Sequence, residues 1–146
     1  MKSKVRYIKN LLDEDIGELR KESKRERYNH IERLINDFKS GVNKFSNSGE
    51  ALVVYERDNK IVGICGLNVD PADSKKGRIR RLYVLPQCRK QGIGKKLVKE
   101  LIDYSAKNFK SVSVNTGRLD ISGFYKKLGF KKYDKEKGIT HLLINK

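Results

Sequence analysis

Arg89, Gly92 and Gly94 stand within Leu82-Tyr83-Val84-Leu85-Pro86-Gln87-Cys88-Arg89-Lys90-Gln91-Gly92-Ile93-Gly94-Lys95, a segment that joins a β-rich run to an amphipathic one. The first N–H groups of a helix have no internal partners and carry partial positive charge. Glycines at that point let a ligand approach the backbone, and Arg89, Lys90 and Lys95 add full charges. A turn of this kind suits a pyrophosphate. Two familiar versions are excluded by single residues. A Walker loop requires glycine where Arg89 stands and Ser or Thr where Lys96 stands; a dinucleotide fingerprint requires glycine where Leu97 stands. Without a ligand, the same turn reads as the ordinary start of a surface helix.

A second chemical group follows in Phe124-Tyr125-Lys126-Lys127-Leu128-Gly129-Phe130. Tyr125 shares a helical stripe with Ile121 and Leu128, the pattern of a core aromatic. Its phenol, with an ordinary pKa near ~10, stays protonated at neutral pH and can donate to a thiolate whose conjugate acid lies near ~8.5.

Arg89, two residues, Gly92, one residue and Gly94, after a run ending Leu82-Tyr83-Val84, resembles the glycine-loop signature of the GNAT superfamily of N-acetyltransferases (Gln or Arg, then Gly, then Gly or Ala). Phe124 to Phe130 is similar to that family's second motif, and the likeness extends over the strand and helix order of nearly the whole chain. The resemblance implies an α/β fold with a mixed, mostly antiparallel central sheet, splayed at the cofactor site and flanked by helices. It implies acetyl-CoA as co-substrate, no metal, and direct attack by an amine in a ternary complex. Leu82, Tyr83 and Val84 would bind the pantetheine arm through their backbone, and Asn115 on the opposite strand would meet it with its amide. Arg89, Lys90, Gln91, Gly92, Ile93, Gly94 and Lys95 would hold the pyrophosphate. Backbone N–H groups ending the Leu82–Val84 run suit a developing oxyanion, and Tyr125 becomes the catalytic proton donor. Two departures stand out. Gly77-Arg78-Ile79-Arg80-Arg81-Leu82 has no carboxylate to serve as base, which leaves Glu56, His30 and His141 as candidates by residue type. Arg118 stands seven residues before Tyr125, where relatives often have Asn.

The elements that must position these groups follow from periodicity. Val5 to Ile8 alternates as a first strand, and Asp13 is placed to cap a helix bearing Ile16 and Leu19. Tyr28, Ile31, Leu34, Ile35 and Phe38 form the apolar stripe of a second helix, ended at Ser40-Gly41. Residues 51–55 and 60–65 read as strands joined by the turn Glu56-Arg57-Asp58-Asn59, and a loop through Pro71 and Gly77 precedes the run Ile79 to Leu85. Ile93, Leu97, Val98, Leu101 and Ile102 share one helical face. Val112 to Val114 is a strand, Ile121 to Leu128 a short helix that Gly129 can end, and Phe130 to Tyr133 and Ile139 to Ile144 are the last strands. One domain spanning 1–146 accounts for all of this.

Bulk properties bound the rest. Cys65 and Cys88 are too few for a zinc site and read as packing residues, although Cys88 adjoins the glycine loop. The start Met1 to Arg6 has no apolar segment behind it, and no run is long enough to span a bilayer, so a cytoplasmic protein without membrane contact is expected. The net charge of +16 attracts anions. It disfavours polyamines as acceptors and favours amines carrying a carboxylate or phosphate. The acceptor itself, the identity of the base, and the choice between monomer and homodimer stay open. Residues 43–49 and 135–138, with the N-terminal helices, are the segments expected to shape the acceptor site. The alternatives are a non-catalytic acetyl-CoA-binding sensor and a basic nucleic-acid-associated module built on Lys75 to Arg81. The latter is disfavoured because a regular strand sends Arg80 and Arg81 to opposite faces.

Overall fold

The computed structural model describes residues 2–116 and 119–146. The β-branched runs form strands, and hydrogen bonding carries those strands further than side-chain alternation indicates. β2 (Ala51–Arg57) and β3 (Lys60–Asp70) meet in a two-residue turn, with Asp58 and Asn59 both left-handed at φ 51° and 65°. Such turns match the twist of paired strands, so Glu56 and Arg57 belong to β2 and not to the turn. β4 (Asp73–Val84) begins directly after β3, with Asp70 opposite Asp73, and the loop expected through Gly77 is strand. Gly77 is bare for a packing reason: a Cβ there would lie 2.8 Å from the Phe109 ring and 3.0 Å from Leu67.

The sheet runs β1-β2-β3-β4-β5-β7-β6, where β1 is Ser3–Tyr7, β5 Ser111–Val114, β6 Lys131–Lys132 and β7 His141–Ile144. Every neighbour pair is antiparallel except β4 and β5. That parallel pairing stops at Ile79 opposite Val114, although β4 continues to Val84. Beyond this point alternate backbone groups of β4 face a gap that no strand among the described residues fills. The sheet is therefore mixed, mostly antiparallel and open at one place, as the resemblance implies.

Helices cover the sheet. α1 (Gly17–Arg25) and α2 (His30–Ser40) pack toward β3 and β4; α3 (Ile93–Ser105) packs on β2, β3 and β4; α4 (Leu119–Lys127) reaches β6. Ile31, Leu34, Ile35 and Phe38 of α2 are buried, but Tyr28 precedes the helix in the α1–α2 connection. Asp13 caps nothing. It lies in a short 3-10 turn, Leu11–Asp13, capped by Asn10, while Asp15 accepts from the Gly17 N–H at 3.2 Å at the start of α1. Among the described residues no helix is long and apolar enough to cross a membrane.

Candidate active site

The turn from β4 into α3 is shaped by two left-handed residues, Lys90 at φ 62° and Gly92 at φ 83°. Gly92 caps α3 without any side-chain hydrogen bond, and the first helical bond runs from Lys96 N to Gly92 O. The N–H groups of Ile93, Gly94 and Lys95 are therefore the outward-facing donors of the first turn, and that turn holds no acidic residue. Lys90 and Lys95 line the same hollow. Backbone concavities of this kind bind anions.

That hollow is a cavity of about 600 Å³. Leu82, Tyr83, Val84, Arg89, Lys90, Gly92, Ile93, Gly94 and Lys95 line it, nearly the whole set expected from the sequence. Phe124 closes it from α4, and a Cβ on Gly94 would meet the Phe124 ring at 3.5 Å. The two sequence motifs thus touch at Gly94 and Phe124. Gln91 lines neither cavity: its Oε1 accepts from Arg57 Nη1 at 2.7 Å, and its Nε2 donates to Gln87 O at 3.3 Å. Cys88 is buried beside this cavity, and both cysteines are free.

Arg89 is held in place. Its Nε donates to Val84 O at 2.9 Å, Nη1 and Nη2 donate to Glu26 at 2.9 and 2.7 Å, and the guanidinium lies 5.3 Å from the Tyr83 ring centroid. Tyr83 also donates its hydroxyl to Glu26. The Glu26 carboxyl is held below the usual carboxylate range, first by Arg89 and then, against the opposing effect of burial, by the Tyr83 hydroxyl. No local sequence signal pointed to Glu26.

A second cavity of about 700 Å³ adjoins the first, sharing Glu26, Tyr28, Leu82 and Ile121 with it. Asn115, expected at the cofactor, lines this one, as does Tyr125. Tyr125 is 4% exposed and packs edge-on against Phe124 and Phe130. Burial pushes its phenol well above the ordinary tyrosine value, with Cys65 and Tyr28 adding to the effect, so the hydroxyl keeps its proton. Among the described residues none hydrogen-bonds that hydroxyl.

The candidate bases separate cleanly. Glu56 is tied to Arg6 and lines neither cavity. His141 is buried, with its ring nitrogens 2.9 Å from the hydroxyls of Ser122 and Thr140. His30 lines the second cavity together with Tyr125. Burial lowers the His30 pKa, and Arg81, Arg33 and Arg80 lower it further, so its ring is neutral at pH 7. Arg118 lies outside the described residues.

Residues 43–49 and 135–138 line neither cavity. Phe45 instead fills the space over Gly66, and Asn43, Asn68 and Glu50 bond one another at 2.9 and 3.0 Å. Glu136 pairs with Lys76 at 2.8 Å.

Comparison with known proteins places this arrangement, a parallel strand pair that parts beside a cationic helix start, among the acetyltransferases. The acetyltransferase (GNAT) domain model matches residues 48–132, more than half of the chain, and the chain belongs to that family. Human N-acetyltransferase 8 is 32% identical over 93 residues, covering 60% of this chain and 41% of the human protein, so the chain spans well under half of that relative. Among solved structures, one assigned to the acetyltransferases from Exiguobacterium sp. 255-15 has a TM-score of 0.88 at 24% identity, covering 99% of this chain and 94% of the other. The PaiA N-acetyltransferase of Thermoplasma acidophilum, solved in complex with coenzyme A, has a TM-score of 0.64 at 21% identity over 97% and 98% of the two chains.

Proposed function

We propose that this chain moves the acetyl group of acetyl-CoA onto a primary amine, with Tyr125 as proton donor and His30 as proton acceptor. The observation that carries the reading is the junction of two cavities along the unpaired stretch of β4. One cavity ends at the open N–H groups and cations of α3, and the other holds Tyr125 and His30.

The first cavity fits the cofactor: its stretch of unpaired strand, its donors and the cations Lys90 and Lys95, with Arg89 shared with Glu26, suit a chain ending in a diphosphate. Acetyl-CoA supplies an acyl group activated as a thioester. Arg89, Lys90, Lys95 and the N–H groups of Ile93, Gly94 and Lys95 would hold the diphosphate. The backbone edge at Leu82 and Tyr83, beyond the pairing with β5, would orient the arm toward the second cavity. An ammonium nucleophile must first lose a proton, and the neutral His30 ring provides a nitrogen to take it. In the transfer an amide C–N bond forms as the thioester C–S bond breaks. One nitrogen proton leaves through His30 to solvent; Tyr125 gives its own proton to the sulfur, and the second nitrogen proton returns to the Tyr125 oxygen.

Calorimetry with acetyl-CoA and an assay of free thiol released in the presence of amines test the reading together. Saturable binding with amine-dependent thiol release is expected; no association at moderate salt would remove it.

A further inference from the structure

The second cavity holds more positive charge than the reaction itself needs. Arg78 and Arg80 are two residues apart on β4 and share a face of the strand. Arg81 would ordinarily point away, but it sits at φ 62° where the register between β3 and β4 slips: Gly66 faces Arg80, yet Ile64 faces Tyr83. This bulge places Arg81 in the cavity with Arg78 and Arg80, while Arg33 of α2 enters from across the gap. The sequence-based expectation that strand alternation scatters these arginines fails at this one backbone angle.

The charges are poorly compensated. Arg81, with 8% of its side chain exposed, reaches Asp37 only at 3.9 Å. Among the described residues no carboxylate pairs with Arg33, Arg78 or Arg80, and the only carboxylate lining the cavity, Glu26, is already taken by Arg89. Burial lowers the pKa of Arg80, and Arg81 and Arg78 lower it further, against a smaller opposing effect of Asp37. Partly buried like charges without partners are unfavourable, and an incoming oxyanion relieves them. Arginine forks match carboxylate and phosphate geometry in particular.

Resting on the acetyl-transfer reading above, the geometry points to an acceptor that is a small primary amine carrying a carboxylate or phosphate, with that anion held by Arg33, Arg78, Arg80 and Arg81. Its amine then lies toward Tyr125 and His30, which line the same cavity.

The test compares kcat/KM for four amines of similar size: 2-aminoethyl phosphate, β-alanine, propylamine and putrescine. Acetyl-CoA affinity is followed by calorimetry and folding by thermal melts. The anionic amines are expected to exceed propylamine by roughly 10- to 100-fold, the range of charge-assisted hydrogen bonds. Arg80→Gln and Arg78→Gln should shrink that ratio toward one through KM while acetyl-CoA affinity holds. Arg33→Gln, on an exposed helix position, gives the same readout where a strand variant fails to fold. Equal or faster turnover of propylamine or putrescine overturns the proposal. So does an unchanged ratio in the variants, or acetyl-CoA binding without turnover of either anionic amine. A fall in acetyl-CoA affinity in the arginine variants assigns them to the cofactor, and tight oligonucleotide binding that blocks turnover assigns them to nucleic acid; either overturns it as well. Absence of acetyl-CoA binding by the unaltered protein strikes the underlying reading instead.

Discussion

Glu26, at the end of α1, grips the guanidinium of Arg89 with both carboxylate oxygens, at 2.9 and 2.7 Å, across 63 residues of sequence. The residue at the head of the glycine-loop signature is thus engaged by an internal anion that lines the same cavity. Glu26→Gln removes a negative charge beside the proposed diphosphate site and frees Arg89. Acetyl-CoA affinity measured by calorimetry is expected to tighten a few-fold. The pair is partly exposed, so stability should fall by no more than about 1 kcal/mol. The carboxyl of Glu26 is depressed below its ordinary value of 4.5, so its contribution is fully present above that pH and is lost as pH falls through the lowered value. Thermal melts on the acid side should show a smaller pH dependence in the variant.

The two loop glycines are not equivalent. Gly92 is left-handed at φ 83°, and alanine there is strained by roughly 1 kcal/mol even though the space is open. Gly94 has no such angle, and its added Cβ would make ordinary contact with Phe124 at 3.5 Å. Gly92→Ala should lower both melting temperature and acetyl-CoA affinity, whereas Gly94→Ala should leave the fold intact. This difference accounts for a family signature that admits alanine at the second position only.

Tyr125→Phe separates chemistry from packing. The ring contacts to Phe124 and Phe130 survive in phenylalanine, so thermal stability should stay within about 1 kcal/mol. Thiol release at saturating amine should fall by roughly 10²- to 10⁴-fold with acetyl-CoA affinity unchanged. A variant that loses stability but keeps turnover would assign Tyr125 to the core alone.

The His30 pKa lies below its ordinary value of 6.5, through burial and the nearby Arg81, Arg33 and Arg80. A base of this kind is active when neutral, so kcat/KM should rise with pH through that lowered value and level off before neutrality, apart from ionisation of the amine itself. His30→Gln should abolish this acidic limb and reduce the plateau, as read from a pH profile of thiol release.

Gly66 and Phe45 line neither cavity and test the packing of the sheet alone. A Cβ there would lie 2.3 Å from the Phe45 ring, which Asn43 anchors by accepting from the Phe45 N–H at 3.0 Å. Gly66→Ala is expected to cost about 1–3 kcal/mol of stability by overpacking, measurable as a lower denaturation midpoint.

Local chemistry was legible in the residue order. The glycine loop, the stripe of α3, the left-handed Gly129 after α4 and the burial of Tyr125 depend on neighbours within a turn or two, and one-dimensional spacing reports such neighbours directly. Strand ends were not legible in the same way. β4 gains its first residues, 73–78, from pairing with β3 and β5, and ladder hydrogen bonds need no side-chain signal.

Tertiary structure alone decided how the chemical groups divide. It put Asn115 and Tyr125 in one cavity and the glycine loop in its neighbour, brought His30 but not Glu56 or His141 to the lining beside Tyr125, and matched Glu26 to Arg89. It also turned Arg81 inward through one positive φ. Each of these depends on chain segments that meet only when the sheet closes, and the bulge depends on a register slip that no alternation pattern in β4 encodes.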